Sequence, residues 1–222
     1  MSYTDEVQRY YASRTDIYDE AAGYLGKEAE ELREPLKDRC RQFFRGKNVL
    51  EIACGSGYWT RVIGEAAASV LAVDIDEEIM KYAVERCRDL PSVRFRKADA
   101  FTLEGVAGDF NAAAAIWWYS HVPRRRMPEF MAALNSRLQP GAAVMFVDEL
   151  PHAGFKRDND ENGDTLEIHA LSGGRKFSVI KNFPSEDGIR AALSDFGEDI
   201  VYTERPGEGR WETVYRTREY RK

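Results

Sequence analysis

The chain reads as an α/β protein, with a parallel sheet carrying helices on both faces. Short apolar runs alternate with stretches whose apolar residues recur at helical spacing, which is the pattern of strand–helix–strand units. One run, Val49-Leu50-Glu51-Ile52, passes into a turn built on Gly55 and Gly57 and then directly into a helix. A second run, Val70-Leu71-Ala72-Val73, ends on Asp74.

The elements follow in order. A helical region extends to about Ala21 and breaks between Gly23 and Gly26. The next helix, roughly Lys27 to Phe44, sets Leu32, Leu36, Cys40 and Phe43 on one face. Val49 to Ile52 is the first strand, and the helix after it begins near Tyr58. Between Asp76 and Leu90, residues Ile79, Met80, Ala83, Val84 and Cys87 form a helical stripe, with Asp76 suited to the N-cap and Pro91 to the stop. Met127, Phe130, Met131 and Leu134 form another between Arg124 and Leu138, and Ala142 to Val147 is a buried strand. A polar, glycine-rich stretch from Pro151 to Gly174 precedes a strand over Lys176 to Phe183. A helix around Ser185 to Phe196 turns Ile189, Leu193 and Phe196 inward, and Trp211 to Arg218 closes as a strand.

Composition narrows the function. A chain of 222 residues fits one α/β domain, or a domain with a small cap. Its formal net charge of -6 gives no general footprint for nucleic acid, although Arg124-Arg125-Arg126 is locally basic and reads as a solvated helix start. No apolar run reaches the length of a membrane span, and the start at Met1-Ser2-Tyr3-Thr4 lacks the basic and apolar regions of a signal peptide, so the cytoplasm is expected. Cys40, Cys54 and Cys87 are odd in number and widely spaced, as in a reducing compartment, and His121, His152 and His169 lack metal-ligand spacing.

Glycines in a turn let backbone approach a ligand closely, and the helix behind them offers unpaired N–H groups, an arrangement suited to nucleotide-like ligands. The acidic Glu51 four residues before Gly55, followed by Asp74 at the end of the second run, resembles the class I S-adenosylmethionine (SAM)-dependent methyltransferases. The resemblance continues through Val93 to Phe101 (third strand and adenine-binding Asp99), Phe110 to Ile116 (fourth strand) and Leu138-Gln139-Pro140-Gly141-Ala142 (turn before the fifth). It covers roughly Asn48 to Glu149 and departs from the family at Asn111, where Asp is usual, and at Ala53, where Gly is common. It implies a Rossmann-like seven-stranded sheet whose last strand enters antiparallel between the fifth and sixth. It also implies that SAM is held by Glu51, Ala53, Gly55, Gly57, Trp59, Asp74, Ile75, Asp99, Ala100, Phe101 and Trp117. An NAD-binding turn is the rival reading. Thr60 stands where that fingerprint needs its third glycine, and Glu51 has no part in it.

Acceptor residues are expected beyond the carboxyl ends of the strands, around Trp117 to His121 and Asp148 to His152. The resemblance implies that an N-terminal helical lid, residues 1–30, covers the site and brings Tyr11 and Arg14 to the cofactor. The chain as a whole, 1–222, is then one domain. Gly57-Tyr58-Trp59-Thr60-Arg61, His121-Val122-Pro123, Phe146-Val147-Asp148 and the basic run Arg175 to Lys181 are similar to phosphonate O-methyltransferases of the dehydrophos type. By that analogy Lys181, with Arg175, holds an anionic acceptor; protruding cations of a solvated edge strand are the plainer reading. His121 could serve as general base or simply start the next helix, and Glu149 is the other candidate base. The expected activity is methyl transfer from SAM to a small, anionic acceptor, at oxygen, with nitrogen or sulfur as alternatives. An oxidoreductase and a non-catalytic SAM-binding protein are the readings from other classes. No metal, nucleic-acid or membrane partner is expected, and the chain should be a monomer or homodimer.

Overall fold

The computed structural model describes Asp19, Tyr24 and residues 26–152, 157–170 and 176–218. Its regular elements are α1 (Lys27–Phe44), β1 (Asn48–Ile52), α2 (Tyr58–Gly64), β2 (Ser69–Asp74), α3 (Glu77–Arg86), β3 (Val93–Lys97), β4 (Phe110–Ile116) and α4 (Met127–Asn135). They continue with β5 (Leu138–Glu149), β6 (Arg157–Asn159), β7 (Thr165–Ala170), β8 (Lys176–Ile180), α5 (Glu186–Leu193), β9 (Gly197–Arg205) and β10 (Arg210–Thr217). Tyr11, Arg14, Arg175 and the expected helix before Gly23 lie outside the described residues, apart from a helical Asp19.

Seven strands form one sheet in the order β3-β2-β1-β4-β5-β10-β9. The pairs from β3 to β5 are all parallel, and β10 runs antiparallel between β5 and β9. Strand alternation divides the core into two layers. Leu50, Ile52, Ala113, Ala115, Val144, Phe146, Trp211 and Tyr215 meet Phe130, Met131 and Leu134 of α4 and Ile189 and Leu193 of α5. Val49, Val70, Ala72, Ala112, Ala114, Met145 and Val147 meet Leu36, Cys40 and Phe44 of α1, Trp59, Val62 and Ile63 of α2 and Met80 of α3. Four consecutive alanines, Ala112 to Ala115, keep the central strand thin, so both helical layers approach it closely. Asn111 does a structural job here: its Oδ1 accepts the Asn48 N–H at 2.9 Å, tying the start of β4 to β1.

Several sequence expectations need correction. Leu32 is 56% exposed, because no described side chain of α1 before Leu36 is buried. Val84 is exposed as well, since α3 turns Ile79, Met80 and Ala83 inward. The strand expected over Lys176 to Phe183 ends at Ile180 and joins β6 and β7 in a separate antiparallel sheet, ordered β6-β7-β8. β6 and β7 lie inside the stretch read as polar and glycine-rich, where no strand was expected. Their hairpin is closed by Asp160, whose Oδ1 accepts the N–H groups of Asn162 and Asp164, and by Gly163 at φ 78°. β9 also went unread: it is an edge strand whose Glu198, Asp199 and Val201 face solvent, so it carries little alternation.

Candidate functional site

The carboxyl ends of β1, β2, β4 and β5 converge on one rim of the sheet. There the backbone takes four left-handed residues: Ala53 (φ 54°), Gly55 (φ 53°), Gly57 (φ 77°) and Trp117 (φ 60°). For a residue with a Cβ this conformation costs about 1–2 kcal/mol, so Ala53 and Trp117 are held against a preference. The turn is fastened by Cys54 N–H to the Val73 carbonyl (3.0 Å), Gly57 N–H to the Cys54 carbonyl (2.9 Å) and Gly55 N–H to Asp74 Oδ2 (2.8 Å). Asp74 Oδ1 also accepts the Asp76 N–H at 3.0 Å. Burial pushes the Asp74 carboxyl up, and these backbone donors work against that rise.

Glu51 lies on the Val49 face of β1 and is 2% exposed. Burial pushes its carboxyl up to about 8, partly offset by the neighbouring Thr60 hydroxyl and reinforced by the Asp74 charge. Its Oε2 has no hydrogen-bond partner among the described residues. A buried acceptor left open at the mouth of a glycine turn is the mark of a group waiting for a donor or a cation.

On the other side of the turn, Asp99 Oδ1 accepts the Phe101 N–H at 2.8 Å, which curls the loop after β3. Ala100 and Phe101 are buried, and the Arg126 guanidinium sits 3.5 Å above the centre of the Phe101 ring while binding Glu129. Trp117 borders the α1–α3 layer and Trp118 the opposite one, as neighbours leaving a strand should. Trp59 is buried in the core layer beside Tyr58, and Ile75 is 37% exposed next to Asp74. Ser56 ties the turn outward: its hydroxyl donates to Asp19 Oδ1 at 2.5 Å, and Arg86 donates to the Ser56 carbonyl and binds Asp19 Oδ2. Asp19 belongs to the segment expected to cover the site, and its pairing with Ser56 and Arg86 supplies a specific contact that the sequence did not name.

Beyond β4 and β5 the groups are charged. The Lys181 ammonium, almost fully buried, lies 3.4 Å from Asp148 Oδ1 and 3.3 Å from Glu149 Oε2. Asp148 also accepts the Ser120 N–H (2.8 Å) and the Glu149 N–H (2.8 Å). His121 places Nδ1 2.7 Å from the Ile180 carbonyl. Burial and then the Lys181 charge hold its pKa well below the ordinary value, so the imidazole is neutral at pH 7. A carbonyl only accepts, so Nδ1 carries the proton and the lone pair resides on Nε2. Asn182 locks the small sheet onto this rim: its N–H donates to the Ser120 carbonyl, and its Nδ2 to the Val122 carbonyl and Asp164 Oδ1. The structure thus brings His121, Glu149 and Lys181 together at the end of the sheet that also carries the glycine turn. Asp148 and Asn182 hold them there, and neither residue had been given that part.

Residues 49–141 match the family model described as a methyltransferase domain. The structure of a DhpI complex with S-adenosylhomocysteine superposes with a TM-score of 0.74 at 28% identity, over 97% of each chain. A DhpI-SAM-HEP complex superposes with the same TM-score at 26% identity. Residues 49–141 are a class I SAM-dependent methyltransferase domain. Its curated relatives include a ubiquinone biosynthesis O-methyltransferase of Methylococcus capsulatus, 30% identical over 46% of this chain and 43% of that one. A demethylmenaquinone methyltransferase of Staphylococcus carnosus is 19% identical over 65% of this chain and 60% of its own length. The chain therefore spans between 43% and 60% of the length of these relatives. SAM is the cofactor of such a domain, and the methyltransferase turn fits it: Glu51 Oε2 is an open buried acceptor, and Gly55 and Asp74 hold the turn around it. No described helix of the chain is long and apolar enough to cross a membrane.

Proposed function

We propose that the chain acts as one methyltransferase domain that methylates an oxygen of a small, anionic acceptor. The observation that carries this reading is the buried Lys181 ammonium at the strand ends, beside neutral His121, in a chain alignable end to end with DhpI. Glu51, Ala53, Gly55, Gly57, Asp74 and Ile75 hold the methionyl and ribose parts of SAM, and Asp99, Ala100, Phe101 and Trp117 line its adenine. Trp59 supports the turn from the core side, and residues 1–30, with Tyr11 and Arg14, cover the site.

SAM supplies a methyl group already activated by its sulfonium. The protein has only to hold the acceptor oxygen in line with it, and such alignment is worth roughly 7–11 kcal/mol. Lys181 anchors the acceptor's charge. With its depressed pKa, His121 is a weak base, which suits it to orienting the acceptor through Nε2 rather than removing a proton. An ionised acceptor oxygen needs no base.

Lys181→Ala is expected to raise the acceptor KM by at least tenfold, or to abolish turnover, while SAM affinity measured by calorimetry stays within about twofold. An unchanged acceptor KM and kcat in that variant ends the proposal. The two carboxylates at the same place, Asp148 and Glu149, favour a second reading, N-methylation of an amine. An acceptor panel of phosphonates, carboxylates and amines separates the two.

A further inference from the structure

We propose that Glu149 is a placeholder for the acceptor's anionic group, occupying Lys181 until the acceptor displaces it. The inference rests on the reading of Lys181 as the anion seat.

Among the described residues, two carboxylates lie within ion-pair distance of Lys181, and they are held differently. Asp148 is fully buried and accepts two backbone N–H groups, from Ser120 and Glu149, so moving it would strand both donors. Glu149 ends β5 with its side chain 39% exposed. Its carboxylate is 3.3 Å from Lys181 and 3.8 Å from His152, which is itself 44% exposed on the solvent side. One carboxylate is thus fixed and the other exchangeable.

Charge counting points the same way. Of the two described carboxylates in ion-pair distance, the fixed Asp148 already matches the single ammonium charge, so Glu149 is the second negative group at the same cation. An incoming carboxylate, phosphonate or phosphate monoester that took Glu149's place would keep the ammonium paired while Glu149 turned out to water, where an exposed carboxylate is well solvated. A neutral acceptor offers no such exchange. Glu149 therefore sets a threshold that favours acceptors with an anionic head, and it acts on binding rather than as a base.

The test is calorimetric binding of methylphosphonate to the S-adenosylhomocysteine-loaded protein, comparing wild type with Glu149→Gln, Glu149→Ser and Lys181→Ala. Both Glu149 variants are expected to bind methylphosphonate about five- to tenfold more tightly than wild type, at unchanged S-adenosylhomocysteine affinity. Lys181→Ala should lose binding. Equal or weaker binding in both Glu149 variants, with S-adenosylhomocysteine affinity intact as the control for folding, overturns the placeholder. No binding to wild type or to either Glu149 variant, or binding that survives Lys181→Ala, overturns the anion seat itself.

Discussion

Cofactor-free Glu51→Gln protein is expected to melt several degrees above wild type at pH 8, and to bind SAM at least tenfold more weakly. Glu51 is buried without a partner for Oε2, and its carboxyl is raised from the ordinary 4.5 to about 8. The folded state therefore keeps a proton that the unfolded chain has already lost. Stability falls as pH rises from about 4.5 towards 8, by roughly 3–5 kcal/mol in all. Glutamine removes this slope. Its amide brings N–H donors that need partners, so the net gain is smaller than the full penalty, at about 2–4 °C per kcal/mol retained. The gain should vanish near pH 5. A melting-temperature difference that stays constant between pH 5 and pH 8 would show that ionisation of Glu51 is not the cause. Weaker SAM binding follows from the same group: a cationic ligand favours the ionised carboxylate, so wild type should release a proton on binding SAM. Calorimetry in two buffers of different ionisation enthalpy should detect that proton for wild type and miss it for the variant.

Gly57→Ala should be the most damaging single methyl group in the turn. A Cβ at Gly57 would stand 2.7 Å from both the Cα and the Cβ of Ala83, and the backbone there sits at φ 77°. Relief requires shifting α3 or the start of α2, because the obstacle is main chain rather than a flexible tip. The left-handed conformation costs about 1–2 kcal/mol and the overpacking a further 1–3 kcal/mol. The melting temperature should drop by roughly 5–15 °C, and SAM affinity should fall with it as the turn is displaced. Gly141→Ala is the control: its φ is 75°, yet nothing lies within 4 Å of the added carbon. That variant should lose only the conformational part and keep its SAM affinity. Similar losses in both variants would place the whole effect in φ and none in the contact with α3.

The resemblance that made residues 48–149 legible rests on local rules. Glu51, Gly55 and Asp74 are read from their spacing because the strand–turn–helix unit is short and its geometry admits few residues. Asp76 as an N-cap is legible for the same reason, and its side chain accepts from Glu78 and Ile79 as expected. Gly57 is read as letting the backbone approach a ligand, and the structure adds a second demand on it, because a Cβ there would meet Ala83. That contact joins two helices and leaves no trace in a local pattern. β6 and β9 were missed as edge strands whose exposed positions are mostly polar, where the period-2 signal fades. β7, central in the small sheet, does alternate through Leu166, Ile168 and Ala170, but it lies inside the stretch read only as polar and glycine-rich. The pairing of Lys181 with Asp148 spans 33 positions, and only the docking of the small sheet creates it.

That small sheet divides the chain's tasks in two. Every group assigned to the cofactor within the described residues precedes Pro123, whereas Lys181 arrives on the excursion between β5 and α5, anchored by Asn182. The family model ends at residue 141, before that excursion begins. If Lys181 seats the acceptor as proposed, the choice of acceptor is carried by a segment separable in sequence from the one that holds the donor, so the two can be altered independently.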